Sequence, residues 1–129
     1  MSTATAVMTI QEVAHRLVEL CRAGKNPDAI KELYASNVVS IEPAGGTGPE
    51  RTEGFDNVLN KTLGWLSNVE EFHGAVIGDP IVAGNHFAVS EKVDVTMKGM
   101  GRFTMDEIAV FEVTNGKITK DRFFYNTKK

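Results

Sequence analysis

The order of elements along the chain predicts an α+β fold. Three amphipathic helical segments fill the first half, a period-two pattern takes over at Val69 and holds to the end, and no alternating strand-helix rhythm intervenes. Such a chain lays its helices against one side of an antiparallel sheet. At 129 residues, 42% hydrophobic and 24% charged, it can bury roughly two thirds of its unfolded surface without metal or disulfide staples. No repeat, linker or low-complexity tract divides it, so residues 1–129 read as a single domain with an ordered core over 9–126.

Thr9 with Glu12 three residues later is a capping box, and Ile10, Val13, Ala14, Leu17, Val18, Leu20 and Cys21 then share one helical face. The first helix therefore spans Ile10 to Ala23, stopped by Gly24. Asn26 and Pro27 cap and open a short second helix whose apolar face is Ile30, Leu33 and Tyr34. Val38 to Glu42 reads as a strand, and Pro43 to Gly54 as a polar, glycine-rich loop. In the third helix Phe55, Val58, Leu59, Thr62, Leu63 and Leu66 form the buried stripe, with Trp65 at its margin. Strands follow over Val69 to Ile77, Asn85 to Met97, Arg102 to Thr114 and Lys117 to Tyr125. Asn115-Gly116 joins the last two as a type I′ hairpin turn, in which both central residues need positive φ.

The long hairpin carries the chemistry. Phe87, Val89, Glu91, Val93 and Val95 form one face of its first strand, and Phe103, Met105, Glu107, Ala109, Phe111 and Val113 one face of its second. Each apolar stripe thus holds one carboxylate. A three-residue loop, Lys98 to Met100, sets Glu91 directly opposite Glu107, where Cβ atoms lie about 4.5 to 5.5 Å apart and two ionised carboxylates repel. One should then keep its proton near neutral pH, which is equipment for general acid/base chemistry. A register slip of two would instead leave Glu91 beside Met105 or Ala109 as a separate buried acid. The structural alternative is a glutamate facing water or paired with a cation, Arg122 being the best candidate.

Other function classes fall away. A net charge of -3 with no long basic run gives no footprint for nucleic acid and disfavours an anionic membrane surface. No apolar stretch approaches a membrane span, and Met1 to Ile10 lacks the basic start and apolar block of a signal peptide, so a cytoplasmic protein of bacterial type is expected. The three histidines, His15, His73 and His86, have no metal-ligand spacing, and the single Cys21 forms no framework, so no metal and no cofactor are expected. His15 reads as a solvent residue. His73 shares strand parity with Val69, Ala75 and Ile77 and is a candidate to enter a cavity as a proton carrier, or a satisfied, partly buried histidine. The Gly45-Gly46-Thr47-Gly48 segment lacks the Lys-Ser or Lys-Thr of a phosphate loop and reads as a cavity rim.

Leu33-Tyr34-Ala35 leading into Val39-Ser40-Ile41-Glu42-Pro43, and the closing Phe111-x-Val-x-Asn-Gly-Lys-Ile118 before Phe123-Phe124-Tyr125, resemble the nuclear transport factor 2-like superfamily, and within it the SnoaL-like branch. The resemblance covers about residues 9 to 126. It implies three helices packed in the concave face of a strongly curved, cone-shaped antiparallel sheet, a deep apolar pocket and a homodimer. It places Glu42 at the general-base position of ketosteroid isomerase, while the oxyanion-hole acid falls on Ala109 and the tyrosine near Leu17, so steroid isomerisation is not expected. Of an epoxide hydrolase Asp-Arg-Asp set, Lys92 and Asp94 are a faint echo and Phe123 takes the last place.

These readings converge on a pocket for a small apolar or aromatic ligand. Glu42, Glu91 and Glu107 are the candidate catalytic groups, and Leu17, Tyr34, Trp65, His73, Met105, Ala109, Phe123 and Tyr125 the candidate pocket residues. The chemistry expected is isomerase, cyclase or lyase type, proton transfer next to a carbonyl without a cofactor. The alternatives are a non-catalytic dimeric ligand-binding module and a protein-interaction module acting through the sheet surface.

Overall fold

The computed structural model describes residues 7–46 and 48–127. Most of the Met1 to Ile10 segment, Thr47 of the glycine-rich rim, and Lys128 and Lys129 thus lie outside the described residues. The elements run α1 (Ile10–Arg22), α2 (Asn26–Leu33), β1 (Tyr34–Ile41), β2 (Arg51–Glu53), α3 (Phe55–Ser67), β3 (Val69–Ile77), β4 (Ile81–Ala83), β5 (His86–Met97), β6 (Gly101–Thr114) and β7 (Lys117–Phe124). The strands make one curved, open sheet in the order β2-β1-β7-β6-β5-β3, with β4 on β5. All its pairings are antiparallel except β1 with β7, which is parallel.

Helix α1 starts where its capping box demands: the Thr9 side chain accepts from the Glu12 N–H, and the Glu12 carboxylate accepts from the Thr9 N–H at 2.8 Å. Replacing Thr9 with Ala removes one of these bonds and should cost about 1 kcal/mol in urea unfolding; an unchanged midpoint would show that the cap is energetically idle. Asn26 is already helical rather than a cap: Lys25 holds the N-cap position and makes no side-chain capping bond, while Pro27 sits in the first turn. Tyr34 belongs to β1, not to the second helix as its spacing suggested, because its backbone turns extended (φ -89°, ψ 142°). Two three-residue strands were not foreseen: β2 lies in the Pro43 to Gly54 segment read as a loop, and β4 in the stretch between two expected strands. Each is too short and too exposed to write an alternating pattern.

Val13, Ala14, Leu17, Val18 and Leu20 of α1 are buried, together with Ile30 and Leu33 of α2, against the inward residues Phe87, Val89, Ala109, Phe111, Val113 and Ile118 of the sheet. Phe87 and Phe111 stack across the hairpin with ring centroids 4.6 Å apart. Helix α3 contributes less than its pattern promised. Val58 is its one fully buried residue, while Leu63 and Leu66 remain 43% and 38% exposed. The core therefore fills one end of the concave sheet, and the other end stays open beneath α3.

The two long hairpins follow the sequence closely. Lys98 to Met100 is the turn between β5 and β6, and Glu91 faces Glu107 directly. Asn115 and Gly116 both have positive φ, 50° and 74°, as the type I′ turn requires. Bulges alter two other strands. In β3 the register steps between Phe72 and Gly74, so that His73 drops out of the pairing. In β7 it steps at Thr119: Ile118 pairs with Val113 but Lys120 with Glu112, which brings both Ile118 and Asp121 to the inner face.

Candidate active site

The open end of the cone is a cleft of about 1950 Å³ between α3, Pro43, Gly45, Gly46 and Gly48, and the inner faces of β5, β6 and β7. Glu42, Glu91 and Glu107 all line it, as do Leu17, Tyr34, Trp65, Met105, Phe123 and Tyr125. Two candidates do not belong to its wall. Ala109 is fully buried in the core. His73, carried sideways by its bulge, lies outside the cleft lining as a satisfied, partly buried histidine, the other of its two expected readings: it hydrogen-bonds the Thr96 hydroxyl at 2.7 Å and lies 3.8 Å from Glu71.

At the cleft mouth Glu42 is held from two sides. Lys61 Nζ, on α3, lies 3.1 Å from one carboxylate oxygen and donates to Ser40 Oγ at 2.6 Å, while the Tyr125 hydroxyl donates to the other oxygen at 2.8 Å. Burial, followed by that bond to Glu42, raises the proton affinity of Tyr125 and keeps it a neutral donor. Lys61 also sits 5.6 Å from the centre of the Phe123 ring. Gly46 leaves room for this arrangement, since a Cβ there would come within 2.6 Å of the Tyr125 hydroxyl oxygen.

Deeper in, Glu91 and Glu107 have no such support. Among the described residues no Lys, Arg or His forms an ion pair with either. Arg122, expected as their partner, is exposed on the outer face with its guanidinium 5.1 Å from the Phe124 ring centre. Burial pushes Glu107 up to about 8, helped first by the charge of Glu91 and then by those of Glu42 and Asp121. Burial and the charge of Asp121 push Glu91 up to about 7. The pair thus titrates across neutral pH as a coupled unit.

Asp121, Lys61 and Ser40 complete the site without having been marked by the sequence. Asp121 is 2% exposed and takes the Tyr34 hydroxyl at 2.5 Å. Burial raises its proton affinity, and the neighbouring Ser40 and Tyr34 hydroxyls pull the other way. Asp121 was hidden by the Thr119 bulge, because strict alternation from Ile118 turns it outward. Ser40 was within reach, since it shares parity with Val38 on β1 and with Glu42 just past the strand's end. Lys61 follows Val58 by one helical turn, a spacing that points along the inner face. Cys21 also borders the cleft, but burial pushes its thiol up to about 12, which keeps it protonated and unreactive. Lys92 and Asp94, the echo of an epoxide hydrolase set, are on the outer face, where Lys92 pairs across strands with Asp106 and Asp94 binds Arg102 at 2.9 Å.

The SnoaL-like domain family matches residues 8–125. A SnoaL-like polyketide-cyclase-type protein from Mesorhizobium loti is 39% identical, with 92% of this chain and all of that one covered and a TM-score of 0.84. The chain belongs to the SnoaL-like family. More distant SnoaL-like and related folds agree in architecture: a protein from Jannaschia sp. CCS1 matches at 13% identity over 98% of this chain and 91% of its own, TM-score 0.74. Another, from Catenulispora acidiphila, has a ketosteroid isomerase-like fold and was crystallised with trimethylamine; it is 20% identical over 89% and 85% of the two chains, TM-score 0.70. No functionally curated protein matches the chain. Against the ketosteroid isomerase pattern, this SnoaL-like protein keeps the Glu42 carboxylate and has Ala109 and Leu17 where the oxyanion donors would stand. The side-chain donors that line the cleft among the described residues include Lys61, Tyr125 and Trp65. Among the described residues no helix is long and apolar enough to cross a membrane.

Proposed function

We propose that the protein is a cofactor-independent isomerase or cyclase that moves a proton on an apolar carbonyl compound. The observation that carries this reading is the Glu91–Glu107 pair, directly opposed in otherwise apolar stripes and open to the cleft without an ion pair among the described residues. In this reading Glu107 holds a proton near neutral pH and hands it to a carbonyl oxygen or enolate carbon, Glu91 shares that proton, and Glu42 is the base at the mouth. Lys61 and Tyr125 steady Glu42 and present positive charge and an O–H to a developing enolate.

The test is exchange of α-protons for deuterium, followed by NMR, in a panel of enolisable apolar ketones such as 2-tetralone. Wild type should catalyse exchange above the buffer rate, and Glu107→Gln should lower it by about 10²- to 10⁴-fold. Exchange by the variant at the wild-type rate, or none by wild type across the panel, overturns the proposal. The double tethering of Glu42 favours a second reading, a non-catalytic ligand-binding module, since a carboxylate already bonded twice must be released before it can abstract a proton. Retained binding of the ketones without exchange would select it.

We also propose a homodimer in the cytoplasm. In support, the outer sheet face exposes Ile81, Ile108 and Phe124 at 74%, 50% and 47%, with Ile108 and Phe124 paired across strands.

A further inference from the structure

The inner end of the cleft gathers more carboxyl groups than proton transfer alone requires. Glu91, Glu107 and Asp121 border it from three neighbouring strands; among the described residues none forms an ion pair, and Lys61 is taken up by Glu42 and Ser40 at the mouth. Asp121 adds a second, independent sign. Its Oδ2 is satisfied by Tyr34, yet Oδ1 is buried without a well-formed hydrogen bond among the described residues, the Ser40 hydroxyl that accepts from Lys61 being its near neighbour. A buried carboxylate oxygen left unpaired is costly and calls for a donor. Phe123, Tyr125 and Trp65 line the same cleft, and the Phe123 ring already has the Lys61 ammonium 5.6 Å from its centre.

Resting on the carbonyl-chemistry reading of this cleft, we infer that its ligand carries a protonated amine on an apolar skeleton. The ammonium seats against the floor formed by Glu91, Glu107 and Asp121, and the apolar part lies under Trp65 and Phe123. An ammonium supplies both a countercharge and N–H donors for the open Asp121 oxygen, whereas an alcohol supplies only one O–H and an anion meets repulsion.

Trp65 is the single tryptophan of the chain and borders the cleft, so its fluorescence reports occupancy directly. Titrating the full chain at pH 8 with 2-phenylethylamine, 2-phenylethanol and phenylacetate should give at least tenfold tighter binding of the amine than of the alcohol, and no binding of the acid. In Asp121→Asn and in the double variant Glu91→Gln, Glu107→Gln, the preference should fall below threefold while the alcohol still binds. Equal binding of amine and alcohol by wild type, or a preference that survives both variants, overturns the inference. If the amine shows no preference but Glu107-dependent exchange of 2-tetralone persists, the amine inference fails and the proton-transfer reading stands. If the preference holds but no ketone exchanges, the site is an amine-binding pocket and the catalytic reading fails.

Discussion

Stability should fall steadily as the pH is raised from about 5 to 9. An unfolded Glu loses its proton near 4.5, whereas folded Glu91 and Glu107 keep theirs to about 7 and about 8. Below 4.5 both states are protonated and the pair is neutral in its effect. Between 4.5 and 8 the folded state binds protons that the unfolded state has released, so each step up in pH favours unfolding; above 8 the full cost is in place. The direction is opposite to that of a salt-bridged carboxylate. Asp121, raised by burial, adds to it in the same sense. At about 1.4 kcal/mol per unit of displacement the pair costs several kcal/mol in alkaline solution. That corresponds to a loss of roughly 10 °C or more in Tm for a domain of this size. Thermal melts from pH 5 to 9 check it, and the Glu91→Gln, Glu107→Gln double variant should melt higher than wild type at pH 9 with a flattened profile. A wild-type Tm that does not change over this range would mean that the two carboxylates are better solvated than their burial implies.

Truncating Phe87 to Ala should remove about 3–5 kcal/mol of stability. The ring is 1% exposed, stacks on Phe111, and faces the α1 and α2 side chains that close the core end of the cone. Its loss takes away transfer energy and the aromatic contact and leaves a hole lined by a sheet that cannot collapse. Phe111 pairs on its other side with Asp121, so the damage reaches the floor of the cleft. Urea unfolding should show the midpoint shift, and Phe87→Leu should recover about half of it. A loss below 1 kcal/mol would show that α1 settles into the space.

What the sequence made legible depended on whether a strand kept strict alternation. β5 and β6 pair without interruption from His86 and Glu112 to Met97 and Gly101, so a count of residues through a three-residue turn was enough to place Glu91 against Glu107. The capping box at Thr9 and the Asn115-Gly116 turn are local, short-range devices, and they too read directly. His73 and Asp121 were misread or missed for one shared reason: each lies at or beyond a bulge, and an added residue reverses parity without leaving a mark in the hydrophobic pattern. Lys61 was passed over because a lysine on a helix ordinarily reads as solvent-facing. Here α3 stands over an open cleft rather than a packed core, and its inner face carries charge.

The Thr119 bulge decides more than the placement of one aspartate. Without the added residue, Lys120 and Arg122 would take the inward places now held by Asp121 and Phe123. Whether β7 contributes an acid or a base to the chamber floor therefore hangs on a single residue of strand length. A lineage built on this scaffold can exchange acid for base at the β7 wall of its chamber by an insertion or deletion near Thr119, with no substitution inside the chamber itself.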